Sequence, residues 1–381
     1  MAERGENCLI AVAGHPTTVT NSTIAGIIEE SGRGMHIADV YGASAGVAGV
    51  VDGKLADMGA QKRKVIEGLR RTPGSVLSGR HRLLSDNDAP ALINALKAQN
   101  IGLLFLLGGL PAVGLARFFV SAAERANYPL LVLGIPLSAE NDVPTGDHTP
   151  GYGSAARFAA SATRDAGRAA ASGEEPLLVL ELLGAQTGWL AASTVLARDA
   201  QNPAPHAVLV PERPVNLEAL TDELRRAYQK YGYVVAVTTE GAKDTDGNSL
   251  NGDALTRIMS ERLGIAGRCD KPGSLARVAQ SFVARADADN AYNLGALAVR
   301  LAGDECSGYD LIVQRDTHSS DRGDKGYRSV EGTTRFDQVS DGPRFLSEPY
   351  LNETGTNIND AFADWARPLI GGALTEYTSL T

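Results

Sequence analysis

Short apolar runs alternate with amphipathic or alanine-rich segments along most of the chain. Apolar runs at 8–13, 101–107, 177–183 and 233–238 predict strands, and the segments at 21–31, 86–99, 154–172, 217–231 and 286–301 predict helices. This alternation is typical of mostly parallel sheets covered by helices, the α/β class. A chain of 381 residues should form two lobes rather than one.

The richest polar segment, 134–155, reads GIPLSAENDVPTGDHTPGYGSA and follows the apolar run at 128–133. It contains carboxylates and hydroxyl or imidazole groups at Ser138, Glu140, Asp142, Thr145, Asp147 and His148. Carboxylates on a loop at the carboxyl end of a strand suit proton abstraction or Mg²⁺ binding. The same residue types are also ordinary turn formers, so a purely structural turn remains an alternative.

Two strand–turn–helix junctions and one basic turn could bind a phosphate or nucleotide. The first apolar run meets small residues before a helix, and backbone N–H groups at a helix N-terminus bind phosphate. The run at 101–107 ends in paired glycines, which let a ligand approach the backbone. A basic turn at 74–82 could also meet an anion, although a solvated loop is the alternative. The residues predicted to bind phosphate are Gly14, His15, Pro16, Thr17, Arg80, Gly108 and Gly109.

Composition narrows the classes of function. The formal net charge is −9 and the basic residues are scattered, which argues against a nucleic-acid partner. No apolar segment reaches the ~20 residues of a membrane helix and no signal peptide is visible, so we expect a cytoplasmic protein without a membrane partner. The three cysteines lack ligand spacing, which indicates neither disulfides nor zinc. Residues 244–248, DTDGN, lack the glutamate of a calcium loop and predict a surface turn.

Seven segments, in order over nearly the whole chain, match one family. AGHPTTVTNSTIAG resembles GGGPTAVINASLAG, and YGASAGVAGVVDG is similar to YGALNGVEGLL. NDVPTGDHTPGYGSAAR is close to NDLPLTDHCPGYGSAAK, and LELLGAQTGWLAAS resembles VEVMGRKAGWIAAS. TTEGA, DNAYNLGALAV and AFADWARPLIGGAL fit as well. The chain therefore resembles the 6-phosphofructokinase superfamily, and more specifically its pyrophosphate-dependent branch.

The resemblance implies a fold and a reaction. The fold would be two similar three-layer α/β lobes with mostly parallel sheets and a site in the cleft between them. Residues 1–150, with a return at about 286–345, would form the donor lobe, and residues 151–285 with the C-terminal tail the acceptor lobe. Family members move a phosphoryl group from pyrophosphate or ATP to a sugar hydroxyl with Mg²⁺. They assemble as homodimers or homotetramers.

The chain departs from the family pattern where the donor and the catalytic base would bind. The family's donor loop reads Gly-Gly-Asp, but Leu110 and Pro111 follow the paired glycines here. The pyrophosphate branch has a lysine where this chain has Leu137. The aspartate that serves as base in the family is matched by Glu140, one methylene longer. A displacement of ~1 Å can cost on the order of 100-fold in rate.

Charge is also missing where the family binds its sugar phosphate. The arginine of the Met-Gly-Arg motif is matched by Ala185, and a Gln-Arg pair is reduced to Gln280-Ser281. A charge-assisted hydrogen bond contributes ~1.5–3 kcal/mol, so two arginines and the lysine together represent roughly 5–9 kcal/mol of phosphate recognition. We therefore expect an acceptor that is less anionic than fructose 6-phosphate.

These observations predict a phosphotransferase with an alcohol acceptor, a small hydroxyl-bearing metabolite other than fructose 6-phosphate. Glu140 would act as general base and Asp142 as the Mg²⁺ ligand, with Ser138 as a third catalytic residue. The donor would be pyrophosphate or ATP, and the predicted acceptor-binding residues are Asn141, Gly184, Glu240 and Gln280. Two alternatives stay open: an inactive pseudoenzyme with a binding or regulatory role, which Leu110 favours, and an ordinary pyrophosphate-dependent 6-phosphofructokinase.

Overall fold

The computed structural model describes residues 5–34, 37–80, 84–316 and 327–378. The chain divides into two compact units. The first comprises Met1–Ser138, Val143–Gly151 and Arg285–Gly342, and the second comprises Ala139–Asp142, Tyr152–Ala284 and Pro343–Thr381. The four residues Ala139–Asp142 thus belong to the second unit, although the segments on both sides of them in the chain belong to the first.

Strands and longer helices alternate through the described residues. The strands are β1 (Glu6–Ala13), β2 (Ile37–Ala43), β3 (Leu55–Asp57), β4 (Ile101–Gly108), β5 (Leu131–Pro136), β6 (Leu177–Leu182), β7 (Ala207–Val208), β8 (Val234–Thr239), β9 (Gly267–Asp270), β10 (Tyr309–Arg315) and β11 (Ser329–Arg335). The helices are α1 (Thr20–Ser31), α2 (Arg63–Leu69), α3 (Ala89–Ala98), α4 (Leu110–Arg125), α5 (Tyr152–Ser172), α6 (Trp189–Ala192), α7 (Leu217–Tyr231), α8 (Gly252–Leu263), α9 (Leu275–Val278), α10 (Arg285–Gly303) and α11 (Asp360–Ala366). No helix of this described part is long and apolar enough to cross a membrane.

The first unit is built on a seven-stranded sheet with the order β11-β10-β5-β4-β1-β2-β3. Its inner neighbours are parallel, and the edge pairs β10–β11 and β2–β3 are antiparallel. Side chains of β1 alternate between two cores because the pleat has a period of two. Cys8 and Ile10 pack in the core that contains Ile24 and Leu294 of α1 and α10, whereas Leu9 packs with α3 and α4. The sheet is therefore covered on both faces, which explains its continuous apolar strands.

The second unit is built on a parallel sheet with the order β7-β8-β6-β9. One face packs against α7 and α8 through Leu220 and Leu255, and α5 contacts β6 and β8. The predicted turn at 244–248 is present, because the Asp244 carboxylate accepts backbone N–H bonds from Asp246 at 2.9 Å and from Asn248 at 2.8 Å. Both units are α/β with mostly parallel sheets, as the sequence predicts.

Candidate active site

The predicted phosphate-binding turns of the first unit lie at one edge of its sheet. β1 and β4 are parallel neighbours, and Ala13 is paired with Gly108 at their carboxyl ends. The N–H of Gly14, a residue with φ +96°, donates to the Gly79 carbonyl oxygen at 3.0 Å. A Cβ on Gly14 would lie 3.5 Å from the Cγ of Pro111. The structure therefore brings the first turn, the segment before Arg80 and the start of α4 together.

The first turn contains both buried and exposed side chains. Thr17 is buried, and its N–H donates to the Thr20 hydroxyl at 2.9 Å. The Thr17 hydroxyl in turn accepts the N–H of Val19 at 3.3 Å. His15 and Arg80 are exposed and Pro16 is half-buried. The residues that remain accessible for a phosphate are thus His15 and Arg80, whereas Thr17 stabilises the start of α1.

The second turn contains no carboxylate. Gly108 has φ +141°, and a Cβ there would lie 2.1 Å from the Ala13 carbonyl oxygen, so this position requires glycine. Gly109 precedes α4, whose first turn begins with Leu110 and Pro111 and contains no acidic residue. In the described ranges, no group of three or more His, Cys, Asp or Glu side chains is arranged to hold a metal ion.

Two residues of the predicted catalytic segment are buried in the first unit. Leu137 is only 1% exposed and packs in the apolar cluster with Ile135, so its side chain fills the core. Ser138 is 8% exposed, and its N–H donates to the Pro150 carbonyl oxygen at 3.0 Å. Gly151, which follows Pro150, donates its N–H to the Asp287 carboxylate at 2.7 Å.

The remaining predicted catalytic residues belong to the second unit. Nη2 of Arg277 contacts Oε1 of Glu140 at 2.6 Å, and both side chains are largely sheltered from solvent. Asn141 is fully buried, and Nε of Arg344 donates to its carbonyl oxygen at 3.2 Å. The carbonyl oxygen of Asp142 accepts the backbone N–H of Arg344 at 2.7 Å. Two arginines from distant parts of the chain therefore hold the segment Ala139–Asp142.

The predicted acceptor-binding residues of the second unit divide into two places. Gly184 and Glu240 follow β6 and β8, which are parallel neighbours, with Leu182 paired to Thr239. A Cβ on Gly241 would lie 2.1 Å from the Ala185 carbonyl oxygen, so the two strand ends are in close contact. Glu240 is exposed there. Gln280 is also exposed, in the short 3₁₀ turn after α9, the helix that contains Arg277.

Glu212 is a candidate residue that was not predicted. One of its carboxylate oxygens accepts the N–H of Gly188 at 2.9 Å and the N–H of Leu346 at 2.8 Å. The other oxygen, Oε2, has no hydrogen-bond partner among the described residues. Burial raises the pKa of Glu212, and the backbone N–H bonds oppose that rise. Its position shortly after β7, the parallel neighbour of β8, is the signal that could have identified it.

Mostly parallel sheets with polar residues at the carboxyl ends of the strands define a class of α/β proteins that bind ligands at that edge. The phosphofructokinase family model matches residues 7–302. The chain belongs to the phosphofructokinase family, as its sequence segments predict.

Relatives and solved structures are similar over nearly the whole chain. Pyrophosphate–fructose 6-phosphate 1-phosphotransferase of Halomonas elongata is 28% identical, covering 96% of this chain and 92% of that protein. Sulfofructose kinase of Alkalicoccus urumqiensis is 29% identical, covering 95% and 94%. The crystal structure of pyrophosphate-dependent phosphofructokinase from Nitrosospira multiformis superposes with a TM-score of 0.90 at 26% identity, covering 98% and 94%. These similarities agree with the predicted likeness to the pyrophosphate-dependent branch.

Proposed function

We propose that this protein transfers a phosphoryl group to the hydroxyl of an acceptor other than fructose 6-phosphate, with Glu140 as general base. The observation that carries the proposal is the Glu140 carboxylate, which lies just after β5 and contacts Arg277 at 2.6 Å. A positioned carboxylate within reach of a substrate hydroxyl is a group that can accept its proton, and the ion pair with Arg277 fixes the orientation of that carboxylate. Family membership supports phosphoryl transfer as the reaction class.

Most of the predicted site residues can be given a role in that reaction. Glu140 accepts the proton of the acceptor hydroxyl as the oxygen attacks the phosphoryl group. The exposed His15 and Arg80, with the backbone of Gly109 at the start of α4, contact the phosphates of pyrophosphate or ATP. Ser138 orients the reacting groups through its hydroxyl. Gly184 and the exposed Glu240 and Gln280 contact the acceptor, whereas the buried Asn141 supports the loop that contains Glu140.

Mg²⁺ is compatible with the residues present. Proteins commonly bind this ion through one or two carboxylates together with substrate phosphates. The half-buried Asp142 supplies one carboxylate of the second unit, and the donor would supply the phosphate oxygens. The ion, when bound, neutralises charge on the donor.

The absence of charge at two positions where the family has cations supports a less anionic acceptor. The exposed Ala185 offers no charge where the family has an arginine, and Leu137 is buried in the core. Arg277, a cation of the second unit, is paired with Glu140. A relative of 29% identity is named for sulfofructose rather than for fructose 6-phosphate, which supports testing that acceptor.

One observation favours the inactive alternative. The first turn of α4 begins with Leu110 and Pro111 and has no acidic residue, so the metal-binding aspartate of the family has no replacement in that turn. A pseudoenzyme would keep the fold and bind a ligand or partner without phosphoryl transfer. The ordinary pyrophosphate-dependent 6-phosphofructokinase is the third candidate, and the relative from Halomonas elongata supports it.

Phosphorus NMR of purified protein with Mg·pyrophosphate or Mg·ATP tests the three candidates. We expect transfer to sulfofructose or another hydroxyl compound, weak transfer to fructose 6-phosphate, and a loss of about 100-fold or more in Glu140→Gln, because general-base catalysis contributes ~10²–10⁴-fold. Exposed Glu174→Gln is the matched control. Full activity in Glu140→Gln would refute the base assignment. Efficient use of fructose 6-phosphate would support the ordinary enzyme. If titration calorimetry shows that neither Mg·pyrophosphate nor Mg·ATP binds, the result supports the pseudoenzyme.

A further inference from the structure

The segment Ala139–Asp142 is held by two arginines that lie far from it in sequence. Arg277, in α9, contacts the Glu140 carboxylate at 2.6 Å. Arg344, in the C-terminal part of the second unit, binds the next two residues through both its side chain and its backbone N–H. Every residue of the segment that carries predicted chemistry is therefore contacted by one of these two arginines.

Arg344 stabilises an uncommon backbone conformation. Asn141 has φ +54°, in the left-handed region that residues other than glycine adopt uncommonly and that asparagine enters most often among them. Such conformations persist where the surroundings fix them, and they are common at functional sites. The guanidinium of Arg344 contacts both the carbonyl oxygen of Asn141, at 3.2 Å, and its side-chain oxygen Oδ1. The conformation of Asn141 sets the direction of the chain towards Glu140 on one side and towards Asp142 on the other.

Arg344 is itself fixed by packing. Its guanidinium carbon lies 5.0 Å from the centre of the Trp189 ring, in cation–π geometry. The Trp189 indole N–H donates to the Arg344 carbonyl oxygen at 2.8 Å. Trp189 is 4% exposed and packs among the rings of Tyr350, Phe362 and Trp365. A rigid aromatic cluster thus supports the arginine that supports the loop.

We propose that Arg277 and Arg344 are positioning residues for the reaction, Arg277 by orienting the Glu140 carboxylate and Arg344 by fixing the backbone at Asn141 and Asp142. The proposal rests on the proposed function for its kinetic consequence. A misplacement of ~1 Å can reduce a rate on the order of 100-fold. The two arginines therefore act on the chemical step, through residues that they hold rather than through the donor.

The two arginines should differ in their tolerance of lysine. The Arg277 guanidinium contacts Oε1 of Glu140 at 2.6 Å in an ion pair, a contact that the ammonium of a lysine can also make. The Arg344 guanidinium contacts two oxygens and stacks on an indole ring, which a lysine cannot reproduce together. We expect Arg277→Met and Arg344→Met to lower kcat about 10–100-fold with the donor KM nearly unchanged. Arg277→Lys should restore most of the rate, and Arg344→Lys should not.

Hydrogen exchange with mass spectrometry measures the same positioning without any acceptor. In Arg344→Met, the amides of the peptide covering 138–145 should exchange about tenfold faster, because the conformation of Asn141 is no longer fixed. Arg285→Ala is the control, since its side chain is 93% exposed and far in sequence from the segment. If Arg344→Met does not fold, Arg344→Lys is compared with the control in its place.

The outcomes separate this proposal from the proposed function. If the exchange rates and kcat values of the Arg277 and Arg344 variants equal those of Arg285→Ala, the positioning role is overturned. This conclusion does not depend on the activity of Glu140→Gln. Faster exchange together with full activity of Glu140→Gln would instead refute the base assignment and leave the structural part of the positioning role standing. A uniform rise in donor KM with unchanged kcat would also contradict the proposal, because it would place the arginines in donor binding.

Discussion

Replacing Asp310 with asparagine should make the stability of the first unit less dependent on pH. Asp310 lies in β10 and is 0% exposed. Neither of its carboxylate oxygens has a hydrogen-bond partner among the described residues. Gly134, its partner in β5, leaves space for it, since a Cβ there would lie 1.9 Å from Oδ1 of Asp310. Burial raises the pKa of Asp310 from 3.8 to about 7, and the charge of Arg117 opposes that rise.

The sign of the effect follows from proton binding. Between pH 3.8 and about 7, the unfolded chain has released the Asp310 proton and the folded chain still holds it. The unfolded state therefore binds fewer protons, and the free energy of unfolding falls as pH rises through this window. Each pKa unit corresponds to ~1.4 kcal/mol, so the full loss above pH 7 is on the order of 4 kcal/mol. Below pH 3.8 both states are protonated and the effect disappears.

Scanning calorimetry at pH 5 and pH 8 measures this difference. The Tm of Asp310→Asn minus the Tm of the natural protein should be about 5–10 °C larger at pH 8 than at pH 5. The estimate follows because 1 kcal/mol shifts the Tm of a unit of this size by ~2–4 °C. An asparagine amide buried without partners is also unfavourable, but that cost does not vary with pH and cancels in the comparison. Exposed Asp304→Asn is the control. An equal Tm difference at both pH values would refute the reasoning.

Two further predictions concern Gly134 and Cys269. Gly134→Ala should destabilise the protein by about 1–3 kcal/mol because its Cβ would collide with Asp310, and adding Asp310→Ala should recover much of the loss in thermal melts; a harmless Gly134→Ala would contradict the packing. Burial raises the pKa of Cys269 to about 11, so it should be alkylated by iodoacetamide at pH 8 far more slowly than a free peptide thiol, as followed by mass spectrometry. Equal rates would show that the thiol is not shielded.

Local sequence signals predicted the elements well where both ends of an element are marked. The helix predicted at 217–231 is α7, because Asn216 caps its first turn with a 3.0 Å bond to the Ala219 N–H and Gly232 ends it in the left-handed conformation. The helix predicted from residue 86 instead begins at Ala89. Its first residues form a turn, in which the Asp88 carboxylate accepts the Ser85 N–H at 2.8 Å.

The candidate site was predictable only in part, and the reason is sequence distance. The turns at 14–17 and 108–109 are local strand-end features, so their positions follow from the apolar runs before them. The contact between Glu140 and Arg277 joins residues 137 apart, and that between Asn141 and Arg344 joins residues 203 apart. No periodicity or motif connects such pairs, because they meet only through the packing of the second unit. Glu212 was missed because Pro-Glu-Arg-Pro has the composition of an ordinary turn.

The support of Ala139–Asp142 by remote arginines limits how this segment can be exchanged with that of a relative. If the four residues alone were replaced, the new loop would lack side chains that fit it. A displacement of ~1 Å at this position can reduce the rate on the order of 100-fold. Donor and acceptor preference in a chimera would then depend on moving three separated pieces together: the loop, α9 with Arg277, and the stretch around Arg344. Natural divergence of the segment is subject to the same condition, so changes within it and changes at these arginines should occur in concert.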